Sequence, residues 1–244
     1  MKRLLGPDGC PWDHEQTLET LKPFLIEECY ELIDAIDSGE PRAHCEELGD
    51  VLLQIVFQSE LAGFEMGAVI QGIGDKLIRR HPHVFGDVEV ADADEVLVNW
   101  EAIKAKEKAA TRKSTLDGVP RGLPALHRSH ELTRKAAKAG FRWRDSEKAR
   151  EKVGEELAEV DEALSTGDTE AARREVGDLL FSVAAWAREM GIQPEDALRL
   201  ANERFDKRFR YLEAKVLKAG GDMRECEESE LLLRWLEAKA ATKD

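Results

Sequence analysis

Residues 151–180 read EKVGEELAEVDEALSTGDTEAARREVGDLL, and residues 23–52 read PFLIEECYELIDAIDSGEPRAHCEELGDVL. Laid over one another at an offset of 128 without a gap, they share an acidic pattern. Glu27, Glu28 and Glu31 with Glu47 and Asp50 form the first set, and Glu155, Glu156 and Glu159 with Glu175 and Asp178 form the second. Carboxylates three or four apart lie on one helical face. Two such helices in a hairpin bring four or five of them toward one point. Their mutual repulsion requires a multivalent cation nearby. The reading is a duplicated helical module that binds metal.

Acidic residues fill 50 of 244 positions, so matching acids alone do not establish a repeat. The glycines do. Gly39 meets Gly167, Gly49 meets Gly177 and Gly63 meets Gly191 at the same offset. Apolar positions follow, with Leu32 on Val160, Ile36 on Leu164, Leu52 on Leu180 and Ile55 on Val183. Arg80 then falls on Arg208. The duplication is taken as real.

The length suits one large domain or two ordinary ones, and the repeat favours two. A formal net charge of −14 argues against a nucleic-acid polymer as partner, since that requires a basic face. Cys10, Cys29, Cys45 and Cys226 form no CxxC and no zinc spacing, so buried free thiols in a reducing cytoplasm are expected. No apolar run reaches transmembrane length, and no signal-peptide core is expected at the N-terminus.

Leu25, Cys29, Leu32, Ile33 and Ile36 step by three and four, which predicts a helix. Ser38-Gly39-Glu40-Pro41 stops it and starts the next, whose buried stripe is expected at Leu48, Val51, Leu52, Ile55 and Val56. In the second copy the stripes are Val153, Leu157, Val160 and Leu164, then Val176, Leu179, Leu180 and Val183, with Thr166-Gly167-Asp168 as the turn. Further helices are predicted at 66–80, 94–108, 129–139, 194–217 and 229–240, with a short extended excursion over 83–93. Thr111 to Pro124 holds two prolines and two glycines without a stripe. The predicted organisation is an N-terminal module at 1–108, a linker at 109–126 and a C-terminal module at 127–244. The fold class is all-α, two tandem helical bundles. Gly49 and Gly177 sit in mid-helix beside the aspartates, where glycine costs roughly 1 kcal/mol against alanine. Either close helix packing or room for metal or ligand accounts for them.

With these residues in view, the chain resembles the MazG family of nucleoside triphosphate pyrophosphohydrolases. The resemblance spans nearly the whole chain and includes two tandem modules. Its carriers are Cys10-Pro11-Trp12-Asp13, Glu27-Glu28-Cys29-Tyr30-Glu31, Glu47-Leu48-Gly49-Asp50 and Arg79-Arg80-His81-Pro82-His83-Val84-Phe85. Gly118-Val119-Pro120-Arg121-Gly122-Leu123-Pro124, Glu155-Glu156-Leu157-Ala158-Glu159 and Glu175-Val176-Gly177-Asp178 complete the set. A lone EExxE is weak, because any solvated acidic helix can carry it, whereas the doubled pattern at fixed spacing is strong. The resemblance implies an all-α fold, usually an interlocked homodimer, and Mg²⁺-dependent hydrolysis of NTPs to NMP and pyrophosphate. Mn²⁺ is the expected substitute ion. It also implies that Glu156, Glu159, Glu175 and Asp178 are metal ligands, with Glu28, Glu31, Glu47 and Asp50 in the same places of the first copy.

A triphosphate is repelled by acids unless metal mediates, and hard Mg²⁺ prefers oxygen ligands. The NMP product that the resemblance implies points to water attack at the α-phosphorus, with Glu155 or Glu156 orienting or deprotonating that water. Lys152 lies one turn before Glu156, and Arg199 and Asn202 are a turn apart on a later helix. All three resemble nucleotide-contact positions of the family. The first copy has Phe24, Gln71 and Gly74 at these places, which assigns catalysis to the second copy. Arg174 replaces the acid found at Glu46, removing a ligand or adding a phosphate contact.

His81 and His83 flank Pro82, where a capping or packing role outweighs metal binding. Trp12, Trp143 and Trp235 are expected mainly in packing, with Trp235 the best candidate for stacking on a base. A ferritin-like di-iron site needs Glu-x-x-His, and no histidine here has a glutamate three residues before it. A P-loop is absent, and Gly72-x-Gly74 lacks a third glycine. The competing reading is a sensor or scaffold that binds NTP–Mg²⁺ without turnover.

Overall fold

The computed structural model describes residues 1–108, 113–142 and 145–242. Among them the regular structure is entirely helical. The elements are α1 (Pro11–His14), α2 (Leu21–Ser38), α3 (Pro41–Leu61), α4 (Met66–Arg80), α5 (Pro82–Phe85) and α6 (Ala93–Lys108). They continue with α7 (Ala125–Lys138), α8 (Ser146–Thr166), α9 (Thr169–Glu189), α10 (Pro194–Lys218) and α11 (Glu228–Ala241). A 3₁₀ turn at Met223–Glu225 precedes the last helix. The chain divides into two compact units, Met1–Ala110 and Thr111–Asp244.

Each unit is built around one helical hairpin, α2–α3 in the first and α8–α9 in the second. The turns that close them are alike. Gly39 and Gly167 both end their helices in the left-handed region, at φ 69° and 72°, where an L side chain would be strained. The next helix then starts differently in each copy. Pro41 occupies the first turn of α3, while Asp168 caps α9 by accepting from the Ala171 amide at 2.9 Å.

The predicted stripes form on these helices, but this chain does not bury them. Leu48, Leu52 and Ile55 are exposed on α3, as are Leu157 and Leu164 on α8 and Val176, Leu180 and Val183 on α9. Val160 is buried, and the rest of the core is thin and rich in small residues, including Ala149, Ala163, Ala172, Ala184 and Ala185 in the second unit. The physical reason is geometric: one hairpin covers only the narrow seam between its own two helices. Cys29 and Cys45 are exposed as well, contrary to the burial expected for them, and all four thiols are free.

One other expectation is corrected. The extended excursion over 83–93 contains the short helix α5 instead, and the remainder up to Ala93 has no strand pairing. Alternating Val84, Phe85, Val88 and Val90 has no neighbouring strand to pair with, so the alternation has nothing to act on. The linker overlaps α7, which begins at Ala125, and its described part is docked within the second unit. Lys135 Nζ donates to the Asp117 carbonyl at 2.7 Å. Leu116 joins Leu132, Thr133, Ala136, Phe141 and Phe181 around an apolar cavity of about 270 Å³. Glu195 on α10 accepts from the His127 amide of α7 at 3.2 Å, and Trp186 Nε1 donates to Ser146 Oγ at 3.3 Å, tying α9 to α8.

His81 behaves as predicted for a helix end. It ends α4 with Nδ1 2.7 Å from the Leu77 carbonyl, and its ring lies 5.7 Å from His83 and 5.9 Å from Trp100. In the same unit Glu107 of α6 receives Arg79 at 2.6 Å and Arg80 at 2.5 Å from α4, and these guanidiniums hold its carboxyl down to about 2. No helix among the described residues is long and apolar enough to cross a membrane.

Candidate active site

In the second copy, α8 contributes Glu156 and α9 contributes Glu175 and Asp178. One carboxylate oxygen from each lies within 4.8 Å of the others. The hairpin creates this meeting, because positions 175 and 178 are one turn apart on the face of α9 that looks at α8. Glu156 is only 6% exposed, so its charge must be matched locally. Lys152, one turn earlier on α8, matches it with Nζ 2.8 Å from Glu156 and 3.2 Å from Glu155. Hydrogen bonds to Glu156 and then Glu155 push the Lys152 ammonium pKa upward.

Glu159, predicted as a fourth ligand, stands outside that close group of three. It remains coupled to it: repulsion from Glu156 raises its pKa first, partly offset by Lys152, with burial and Glu175 adding to the rise. Glu155 is largely exposed and shares Lys152 with Glu156. Arg174 follows the helix outward as an exposed side chain.

The first copy gathers Glu28, Glu31 and Glu47 within the same 4.8 Å limit, and Asp50 lies outside the group. Here the lysine position is Phe24, whose ring packs edge-on against Trp12 at 5.6 Å. Glu47 Oε2 is buried without a hydrogen-bond partner. Burial first, then repulsion from Asp50, Glu31, Glu47 and Glu27, raises the Glu28 pKa. Glu47 is raised by burial and then by Glu31, Asp50 and Glu46.

Arg199, Asn202 and Trp235 lie on α10 and α11. Arg199 is held on its own helix by Asp196 at 2.7 Å and by Glu203. Asn202 is exposed one turn later. Trp235 packs on Phe205 with ring centroids 5.4 Å apart, and Phe205 stacks on Phe209 at 6.0 Å. Phe205 therefore extends the line Arg199–Asn202 into an aromatic surface, a contribution the sequence reading missed. The signal was there, since Phe205 follows Asn202 by three residues. Trp143 lies outside the described residues. Close packing among the described residues does not explain Gly49 or Gly177, because a Cβ at either would meet none of them within 4 Å.

Comparison with known proteins accounts for this arrangement. Residues 16–85 match the family described as MazG nucleotide pyrophosphohydrolase domain, and residues 124–205 match phosphoribosyl-ATP pyrophosphohydrolase. The chain is 42% identical over 243 residues to the Thermotoga maritima protein named nucleoside triphosphate pyrophosphohydrolase/pyrophosphatase MazG, covering 98% of this chain and 92% of that one. The chain belongs to the MazG family of nucleoside triphosphate pyrophosphohydrolases. The Escherichia coli K12 nucleoside triphosphate pyrophosphohydrolase, another MazG relative, is 42% identical over 231 residues, covering 91% of this chain and 88% of its own. Bacillus subtilis YabN, an uncharacterised protein, is 43% identical over 244 residues, but these are 50% of its length. Within this MazG chain the two halves match different families, in keeping with the different surroundings of the two carboxylate groups.

Proposed function

We propose that this chain hydrolyses nucleoside triphosphates to nucleoside monophosphate and pyrophosphate at the second-copy carboxylates, by Mg²⁺-dependent water attack at the α-phosphorus. The observation that carries the reading is the meeting of Glu156, Glu175 and Asp178 within 4.8 Å beside Lys152. The names of both matched families and of the relatives specify release of pyrophosphate, which supports the same bond cleavage here.

The donor set fits a hard divalent cation. All three converging groups offer oxygen, and the single ammonium of Lys152 leaves the three carboxylates with net negative charge. Glu156, Glu175 and Asp178 would hold Mg²⁺, with Mn²⁺ as a substitute, and Glu159 would complete the set. When bound, Mg²⁺ neutralises phosphate charge and favours ionisation of water at neutral pH. Glu155, outside the converging three, is assigned to orient or deprotonate the attacking water. Lys152, Arg199 and Asn202 are assigned to phosphate and sugar contacts, and the Phe205–Trp235 surface to stacking on the base.

The exposed apolar stripes on both hairpins support a homodimer, since contiguous apolar surface of this kind marks an interaction site. Four free thiols, two of them exposed, suit a reducing compartment such as the cytoplasm. Neither a nucleic-acid polymer nor a membrane is part of the proposal.

The test is pyrophosphate release from each of the four NTPs and four dNTPs with Mg²⁺. Release of pyrophosphate and monophosphate in equal amounts from at least one is expected. No release from any of them would favour the sensor.

A further inference from the structure

We propose that Lys152 is an internal counter-ion that a divalent cation must displace from Glu156, so that cation and nucleotide bind the second copy cooperatively. The inference rests on the reading of that copy as the metal and triphosphate site. Lys152 Nζ lies 2.8 Å from Glu156 Oε1, and Glu156 shares its close group with Glu175 and Asp178. An ammonium and a divalent cation on the same carboxylate repel one another strongly. The lysine is the one of the two that can move away. Its side chain is 35% exposed and ends in a compact charge on a flexible stem.

The displaced ammonium remains one turn from the carboxylates, where the oxygens of a triphosphate would meet it. Without nucleotide, releasing Lys152 opposes cation binding. With nucleotide, the phosphates receive the released charge and the opposition disappears. Coupling of this kind is reciprocal, so cation binding favours nucleotide to the same degree. The first copy has no such device, because Phe24 holds the equivalent position and is packed on Trp12.

The experiment titrates Mn²⁺ into the full chain, reading free ion by electron spin resonance, with and without α,β-methylene ATP, which resists cleavage between those phosphates. Glu28→Gln with Glu31→Gln and Glu47→Gln removes the converging first-copy acids from the signal. Adding Lys152→Met should tighten nucleotide-free Mn²⁺ binding by about three- to tenfold and reduce the cation–nucleotide coupling. Lys152→Arg should keep both near the parent values. Lys152→Gln serves if the methionine variant loses its melting transition. Absence of tightening overturns the inference, whether binding is unchanged, weaker or undetectable in both. A parent chain that binds in this way yet releases no pyrophosphate would sink the hydrolase reading alone.

Discussion

Glu156 on α8 and Asp178 on α9 bring carboxylate oxygens within 4.8 Å of each other across a hairpin closed by Gly167. Residues 22 positions apart are thereby placed as a single acidic centre. The same hairpin in the first copy joins Glu28 and Glu31 to Glu47, without a lysine. What differs between the copies is how that acidity is balanced.

Unbalanced acidity has a stability consequence. The carboxyls of Glu28, Glu47 and Glu159 have pKa values raised above normal, so the folded chain holds protons that the unfolded chain has lost. Stability from these groups is full below the ordinary carboxylate range and falls as pH rises through the raised values. With chelator present, Glu28→Gln should therefore melt higher than wild type near neutral pH, with the difference vanishing in mild acid. Comparing the two proteins isolates this effect from His130, whose pKa burial lowers and which works in the opposite direction. Mg²⁺ should raise the wild-type melting temperature more at neutral pH than in mild acid. A lower melting point for Glu28→Gln at neutral pH would contradict this.

The exposed stripes make a prediction about assembly. Leu52 and Leu180 occupy equivalent positions and are 52% and 53% exposed. In an isolated chain, glutamate at either would change stability by about 0.5 kcal/mol or less. If a second copy covers them, Leu180→Glu and Leu52→Glu should shift the protein from twice the chain mass toward the chain mass in light scattering. Wild type already at the chain mass would refute the homodimer.

The stripes also mark how far the sequence could be read. Their spacing correctly predicted helices, and the glycine matches located both hairpin turns, because each signal is local to a few residues. The burial expected at Leu48, Leu52 and Ile55 is absent in the single chain, since periodicity reports which face is apolar and says nothing about what covers it. The hairpin brings Glu156, Glu175 and Asp178 together, and Glu28, Glu31 and Glu47, while Glu159 and Asp50 stand outside, because spacing on one helix does not fix which acids meet across two. The pairing of Lys152 with Glu156 was only half legible: their spacing placed them on one face, but the burial that makes the pair consequential depends on α9. Phe205 beneath Trp235 required the packing of α10 on α11, which no motif encodes.

The site of attack has its own signature. Turnover in oxygen-18 water should place the label in the nucleoside monophosphate, as expected for attack at the α-phosphorus. Label in pyrophosphate would mean attack at the β-phosphorus and would overturn that assignment.

The most direct measurement compares kcat/KM for pyrophosphate release between two paired variants of the full chain, each checked for an intact melting transition. Glu156→Gln with Asp178→Asn should lose about a hundredfold or more, because the charges that hold the cation are gone. Glu28→Gln with Asp50→Asn should remain within about threefold of wild type, having left that centre untouched. The reverse ranking would place catalysis in the first copy and contradict the account.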